Sequence, residues 1–292
     1  MLNRLQRLIK LLQWKAIHRG PRRDVTLQTW NGVLTCDSTD WLIGKYLFVN
    51  RSYERDNILN TFGFLKSEGL LRGRPEDLVL DVGANIGMIA IALVKHGFFQ
   101  RAAAFEPDPN NYRLLRKNVE QNDLDRRVVT FPLGLSSSAV ITDGNAILEH
   151  SPDNFGDHRI RYSSEPGFFH EENRSTVSVN LKTMDQVIED SPELRAEDIG
   201  VIWVDIQGHE GHFFDGARKL LQRRIPIVSE FWPYAILRSG MSRNEYLEIV
   251  RSLFTHVYVP EGDRFRQQPI GQLGELFDQL ESPRSGTQII FL

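Results

Sequence analysis

A short loop between a predicted strand and a predicted helix carries the residues best suited to chemistry. Residues 81–87 read Asp-Val-Gly-Ala-Asn-Ile-Gly, and the strand is predicted over 78–82. Glycines at such a turn let the backbone pass close to a ligand. Glu106 ends the next predicted strand, at the distance where an acid accepts hydrogen bonds from both hydroxyls of a ribose. The spacing therefore predicts a ligand that contains a nucleoside.

Asp81 discriminates between the two cofactor classes that use such a turn. A dinucleotide would bring its pyrophosphate close to this acid, whereas the amino group of S-adenosylmethionine would be attracted to it. The loop also has Asn85 between Gly83 and Gly87 and lacks the third glycine of the G-x-G-x-x-G pattern. The loop favours S-adenosylmethionine, and capping of the following helices is the alternative role for Asp81 and Glu106.

A second group of polar residues follows two later strands. Asp205 lies near the end of a strand predicted over 201–206, His209 and Glu210 follow on the turn into a helix, and Glu230 lies near the end of a strand over 225–231. Side chains of these types can act as a general base or hold a metal that activates a nucleophile. The sequence leaves three alternatives open: a carboxylate base, His209 oriented by an acid, or a divalent metal held by Asp205, Glu210 and Glu230.

Strands and helices alternate from residue 78 onward, which predicts the elements that position these residues. Such alternation indicates an α/β fold with a Rossmann-like, doubly wound and mostly parallel sheet. A basic amphipathic helix is predicted over 1–23, and a hairpin and helical extension over 24–75, with Asn31-Gly32 at the hairpin turn. The remaining residues, 76–292, form the predicted catalytic domain. Within it, residues 136–200 exceed an ordinary connection and are predicted to be an insertion covering the substrate, before the fourth core strand. The last two strands are predicted to close the sheet as a hairpin.

Five ordered blocks between about residues 50 and 235 resemble the FkbM-type S-adenosylmethionine-dependent methyltransferases. They are Asp81-Val-Gly-Ala-Asn-Ile-Gly87, Phe105-Glu-Pro-Asp-Pro-Asn-Asn-Tyr112, Asn118 with Asn122, Thr183-Met-Asp185 and Val204-Asp-Ile-Gln-Gly-His-Glu210. The resemblance implies a class I methyltransferase fold and an O-methyltransferase acting on a hydroxyl of a sugar, glycan, polyketide or other natural product. Trp203 and Gln207 depart from the family pattern, because members often have Lys and Glu there.

The resemblance and the residue types together assign expected roles along the chain. The expected cofactor-binding residues are Asp81, Gly83, Ala84, Asn85, Gly87, Glu106 and Pro107. The expected catalytic residues are Asp205, His209 and Glu210. The expected substrate-side residues are Tyr53, Glu54, Asn154, Gly156 and Glu230, and His150, His158 and His170 belong to the predicted cover.

Composition and charge limit the remaining function classes. The 292 residues are 41% hydrophobic and 25% charged, typical of a globular protein, and Cys36 is the one cysteine, which fits a reducing, cytoplasmic location. Residues 1–23 hold seven bases and no acid, whereas the rest has 28 bases against 38 acids. An acidic body argues against a nucleic-acid partner. A nucleotide-cofactor oxidoreductase and a non-catalytic scaffold docked by its basic arm are the alternative functions.

The basic arm has two interpretations. Leu2, Leu5, Leu8, Ile9, Leu12 and Ala16 recur at helical spacing. Either this stripe packs on the domain, or it contacts an anionic membrane surface as a peripheral anchor. The sequence predicts neither the oligomeric state nor the identity of the acceptor.

Overall fold

The computed structural model describes residues 4–71, 77–141, 144–262 and 264–292. Leu2 and the predicted boundary at residue 75 lie outside these ranges. The helices of the described residues are α1 (Arg4–Arg19), α2 (Leu42–Asn50), α3 (Arg55–Ser67), α4 (Met88–Lys95), α5 (Pro109–Glu120), α6 (Met184–Asp190), α7 (Glu210–Gly216), α8 (Arg218–Leu221), α9 (Pro233–Arg238), α10 (Arg243–Leu253) and α11 (Leu273–Gln279). Their strands are β1 (Asp24–Gln28), β2 (Val33–Asp37), β3 (Leu78–Val82), β4 (Arg101–Phe105), β5 (Val128–Phe131), β6 (Gly134–Leu135), β7 (Asn145–Glu149), β8 (Arg159–Ile160), β9 (Thr176–Lys182), β10 (Ile199–Val204), β11 (Ile227–Phe231), β12 (His256–Glu261), β13 (Arg264–Pro269) and β14 (Thr287–Phe291).

A mostly parallel sheet forms the centre of the fold. The described strands pair in the order β13-β12-β14-β11-β10-β3-β4-β5, and the run from β11 to β5 is parallel throughout. Every residue of β3 and β10 is buried, because helices cover both faces of the sheet. Helices α1 to α5 pack on one face and α6 to α11 on the other. This arrangement confirms the predicted doubly wound α/β fold.

The N-terminal hairpin forms as predicted, but its turn differs from the prediction. Strands β1 and β2 are antiparallel, and Gln28 pairs with Val33, which leaves a four-residue loop. Gly32 alone of the Asn31-Gly32 pair has positive φ. Asn31 is fully buried, and its Nδ2 donates to the carbonyl oxygens of Tyr53 and Met88, each at 3.0 Å. The asparagine therefore fastens the hairpin to helix α4 instead of supplying turn flexibility.

Two asparagines of helix α5 hold the hairpin from the other side. Asn118 is fully buried, accepts from the backbone N–H of Thr35 at 2.7 Å and donates to the carbonyl of Ile86 at 2.8 Å. Asn122 accepts from the backbone N–H of Val33 at 2.9 Å. These residues of the family block thus join the hairpin, helix α5 and the loop after β3.

The C-terminal strands are connected differently from the prediction. Strands β12 and β14 pair antiparallel, but β13 and α11 lie between them in the chain, so they do not form a hairpin. The hairpin is formed by β12 and β13, and β13 is largely exposed and polar, without an apolar alternation. In the described part of the chain, no helix has both the length and the apolar character needed to cross a membrane.

Candidate functional site

A cavity of about 280 Å³ opens where strands β3, β4, β10 and β11 end. Ligands of open α/β sheets bind at this edge. The cavity is lined by five carboxyl side chains, and no lysine or arginine is among its described lining residues. The five are Glu54, Asp81, Glu106, Asp205 and Glu230. A site with this charge favours a cationic ligand and disfavours a pyrophosphate.

Asp81 combines the two roles that the sequence left as alternatives. Its Oδ2 accepts from the backbone N–H of Ala90 at 2.9 Å, in the first turn of helix α4. The residue also lines the cavity, so the carboxylate caps the helix and faces the ligand space. Burial raises the pKa of Asp81 to about 7. A bound cation would lower that pKa by favouring the ionised form.

Glu106 is held by two loops at the end of β4. Its Oε2 accepts from the N–H of Asn85, and its Oε1 accepts from the N–H of Asp108, each at 2.8 Å. Two carboxylate oxygens have about four acceptor positions, so each keeps one for a ligand hydroxyl. Burial raises the pKa of Glu106 to about 8. The cap of helix α5 is Asp108, which accepts from the N–H groups of Asn110 and Asn111.

Most of the expected cofactor residues lie on the cavity wall, with one exception. Gly83, Ala84, Asn85 and Pro107 line the cavity together with Asp81 and Glu106. The expectation for Gly87 is wrong in its geometry, because Gly87 lies outside the lining and precedes helix α4 with φ at 89°. A Cβ there would lie 2.8 Å from Cδ1 of Leu115. Gly87 is thus required by the packing of α4 on α5.

Asp205 and Glu230 form a half-buried pair of carboxyl groups in the cavity wall. The backbone N–H of Asp205 donates to the carbonyl of Val82 at 3.0 Å, which places the residue beside the loop after β3. Nε2 of Gln207 donates to Oδ1 of Asp205 at 2.5 Å and to Oε2 of Glu230 at 3.1 Å. Burial, with the neighbouring Asp205, raises the pKa of Glu230 well above its ordinary value. Burial raises the pKa of Asp205 as well, whereas hydrogen bonds from Gln207 and Glu230 oppose this rise. We therefore assign the one proton of the pair to Glu230, from which it would be donated to Asp205.

Tyr53 and Glu54 contribute a third side of this region. Both line the cavity, and Glu54 has a left-handed backbone at φ 49°. Burial, together with the charge of Asp205, raises the pKa of Glu54 to about 7, and Nδ2 of Asn57 donates to Oε2 of Glu54 at 3.1 Å. Trp203, which replaces the charged residue common in the family, is buried and stacks on Phe62 at 6.3 Å between ring centroids.

His209 and Glu210 occupy different environments although they are adjacent. His209 lines the cavity, and its Nε2 lies 2.8 Å from Oγ of Ser136. Burial, with the adjacent His212, lowers the pKa of His209 well below its ordinary value, so the ring is neutral at pH 7. Glu210 lies outside the cavity lining, because its Oε1 accepts from the N–H groups of Ile206 and Gly208. The structure thus does not bring Glu210 to the site and gives it a role in the turn before α7.

The insertion covers the cavity with a second, smaller sheet. The described strands pair in the order β6-β9-β7-β8, and Asn154 and Gly156 both line the cavity. The carbonyl of Phe155 accepts from Nδ2 of Asn85 at 2.9 Å and from Nδ2 of Asn111 at 3.0 Å. The cover is therefore fastened directly to the loop after β3 and to helix α5.

The histidines of the insertion also divide. His158 lines the cavity, and Nε2 of His150 lies 2.7 Å from Oδ2 of Asp108. The side chain of His170 is 84% exposed, outside the site. Among the described residues, three side chains of types that can bind a metal have their potential ligand atoms within 4.8 Å of one another. They are Asp108, His150 and His158. The ligand atoms of the predicted metal set, Asp205, Glu210 and Glu230, do not all lie within this distance of one another.

Two residues of the site were not assigned a role from the sequence. Asn111 lines the cavity, and within the described residues its buried Oδ1 has no hydrogen-bond partner. The sequence feature that could have identified Asn111 is its position inside the family block from Phe105 to Tyr112. Gln207 was recognised as a departure from the family pattern, but its bridge between two carboxyl groups depends on the three-dimensional arrangement.

Comparisons with known proteins found a matching family and similar proteins. The family model described as the Methyltransferase FkbM domain matches residues 81–260. The methyltransferase sdnD of Sordaria araneosa is 27% identical over 205 residues, covering 64% of this chain and 68% of that protein. The 2-O-methyltransferase NoeI of Sinorhizobium fredii (strain NBRC 101917 / NGR234) is 22% identical over 200 residues, covering 65% and 77%. A crystal structure of an FkbM methyltransferase from Methylobacillus flagellatus KT aligns with a TM-score of 0.42 at 15% identity, and the alignment covers 99% of this chain and 59% of that one.

Proposed function

The chain belongs to the FkbM methyltransferase family, and on that premise we propose that it is an S-adenosylmethionine-dependent O-methyltransferase. Its acceptor is a hydroxyl group of a sugar, a glycan or another natural product. The observation that carries the proposal is the cavity itself, whose wall holds five carboxyl side chains and no described lysine or arginine. Family membership removes the alternative of an oxidoreductase.

The residues of the cavity fit S-adenosylmethionine. The cofactor carries two positive charges, on the sulfonium and the amino group, and one negative charge on its carboxylate, so its net charge is positive. Its other donors are ribose hydroxyls and the adenine amine. The cavity offers acceptors for these groups in Asp81, Glu106 and the unpartnered Oδ1 of Asn111, among the described residues. Gly83 and Ala84 keep the wall between these acceptors free of large side chains. Charge and hydrogen-bond character therefore match the cofactor.

The bound cofactor would supply an electrophilic methyl group, and the chain would supply the base for the acceptor hydroxyl. Asp205 is the side chain we assign as that base, because Glu230 keeps the shared proton and Gln207 donates to Asp205 Oδ1. These two donors hold the carboxylate and leave acceptor capacity on it for the hydroxyl proton. As the acceptor oxygen attacks the methyl group, its proton would pass to Asp205, and the methyl–sulfur bond would break with its electron pair left on the sulfur of S-adenosylhomocysteine.

Several observations support a hydroxyl acceptor. A carboxylate base suits an O–H group, and Glu54, Tyr53 and Glu230 add polar groups that would bind neighbouring hydroxyls of a sugar. NoeI is described as a 2-O-methyltransferase. His209 is a neutral ring that lines the same cavity, and we assign it to positioning of the acceptor, with the hydrogen bond to the buried Ser136 holding the ring in place.

The experiment that tests the proposal is a methyl-transfer assay on the whole chain. The protein is incubated with methyl-labelled S-adenosylmethionine and a panel of oligosaccharides, polyketides and other hydroxylated natural products, with total RNA as a competing acceptor. We expect label on a hydroxyl oxygen of at least one panel member, verified by mass spectrometry, and none on RNA. Label on nitrogen or carbon, or label on RNA alone, would contradict the proposal.

A further inference from the structure

Helix α1 is fastened to the domain by one face. Trp14 is fully buried, packs against Phe48 at 5.5 Å between ring centroids, and fills the space where Gly44 has no side chain. Nζ of Lys10 donates to the carbonyl of Val49 at 3.4 Å, and Nδ1 of His18 lies 3.1 Å from the carbonyl of Ser38. The helix is therefore part of the folded domain.

The opposite face of α1 carries the apolar stripe and leaves it in solvent. The exposed fractions are 64% for Leu5, 53% for Leu8, 46% for Ile9 and 59% for Leu12. At 100° per residue these four side chains occupy one sector of the helix, and Trp14 points to the other side. The interpretation in which the stripe packs on the domain is therefore wrong, because Trp14, which lies outside the stripe, does the packing.

Positive charge borders the exposed stripe on one side. Arg4, Arg7, Lys15 and Arg19 are all exposed, and residues 1–23 contain no acid. At 100° per residue Arg4, Lys15 and Arg19 project beside the stripe, whereas Arg7 projects to the same side as Trp14. An apolar stripe bordered by bases is typical of helices that lie in the interface of an anionic membrane. The same charge opposes pairing of the stripe with a second copy, because that contact would bring two strongly positive arms together.

From these observations we propose that α1 binds an anionic phospholipid surface through Leu5, Leu8, Ile9 and Leu12, while Trp14 stays docked in the domain. Helix α2 lies under α1, and its first two residues, Leu42 and Ile43, line the cavity. Membrane binding through α1 would therefore hold the cavity near the lipid surface, because α2 contacts α1 and also lines the cavity. The proposal depends only on this surface and does not require the methyl-transfer reaction.

Vesicle co-sedimentation of the full chain tests the proposal. We expect binding to phosphatidylcholine vesicles that contain phosphatidylglycerol, no binding to pure phosphatidylcholine, and loss of binding as salt rises. The double variant Arg4→Gln, Lys15→Gln should bind about 25-fold more weakly, since each base contributes about five-fold, or about 1 kcal/mol. Its matched control is Arg116→Gln, Arg126→Gln, which removes two exposed bases from elsewhere.

The apolar part of the surface is tested in the same assay. Leu8→Gln with Leu12→Gln should weaken binding at least ten-fold, whereas Leu237→Gln, at a position 53% exposed on α9, should not. These surface variants should keep the melting temperature of the parent, and Trp14→Ala should lower it by several degrees. Absence of binding to anionic vesicles, binding that the α1 variants do not weaken, or a dimer that dissociates in the leucine variant would overturn the proposal.

Discussion

The carbonyl oxygen of Asp205 occupies the place that a Cβ on residue 83 would take. Gly83 also has φ at 86°, a left-handed conformation that other residues rarely adopt. The close approach joins the loop that carries the proposed cofactor residues to the residue proposed as the base. The absence of a side chain at Gly83 therefore allows the loop after β3 and the backbone of Asp205 to lie in contact.

The variant Gly83→Ala, compared with the control Gly97→Ala, separates the cost of positive φ from the cost of the steric contact with Asp205. Both Gly83→Ala and the control Gly97→Ala place a side chain at positive φ, which costs about 1–2 kcal/mol, but a Cβ on residue 97 meets nothing within 4 Å. We expect Gly83→Ala to lose a further 1–3 kcal/mol, roughly, in the free energy of unfolding and to bind S-adenosylmethionine at least ten-fold more weakly. Urea unfolding and calorimetry measure both. Equal behaviour of the two variants would show that the contact has no consequence.

Asp81→Asn tests the charge beside the proposed cofactor. The amide oxygen can still accept from Ala90, so helix α4 keeps its cap while the negative charge is lost. We expect the binding free energy of S-adenosylmethionine to weaken by about 1.5–3 kcal/mol in calorimetry. Asp198→Asn is the control, because Asp198 pairs with Arg101 at the opposite end of the sheet. Unchanged affinity in Asp81→Asn would remove this carboxylate from the cofactor site.

The contribution of Glu54 to stability should fall as the pH rises. The pKa of Glu54 is raised from 4.5 to about 7 by burial and by Asp205. Between these two values Glu54 binds more protons in the folded protein than in the unfolded chain, so its contribution to the free energy of unfolding decreases with increasing pH. Below the lower value the contribution is fully present, and above pH 7 it is lost.

The Glu54→Gln variant measures this contribution. Between pH 4.5 and pH 8, its unfolding free energy should fall by about 1–3 kcal/mol less than that of the parent. Glu68→Gln, which removes an exposed carboxyl from the other end of α3, controls for the loss of one acid. A parallel decrease in Glu54→Gln and the parent would show that Glu54 does not titrate in this way.

The sequence predicts those parts of the fold that depend on local pattern. Buried strands such as β3, the doubly wound order and the edge where Asp81, Glu106 and Asp205 meet follow from alternation and strand ends. Other outcomes depend on contacts between distant segments. Glu210 turns back to its own loop, Gln207 joins two carboxyl groups from different strands, and α1 packs through Trp14 instead of its leucines. Periodicity shows that a helix has an apolar face, but not which face finds a partner.

Turnover of Asp205→Asn at saturating S-adenosylmethionine is the most direct test of the account. The acceptor is the panel member that takes up most label with the parent enzyme. A general base contributes about 10²–10⁴-fold, so we expect turnover to fall by that factor while the affinity for S-adenosylmethionine stays within about three-fold. Turnover close to that of the parent would show that Asp205 is not the base, and loss of cofactor affinity would assign it to the cofactor site instead.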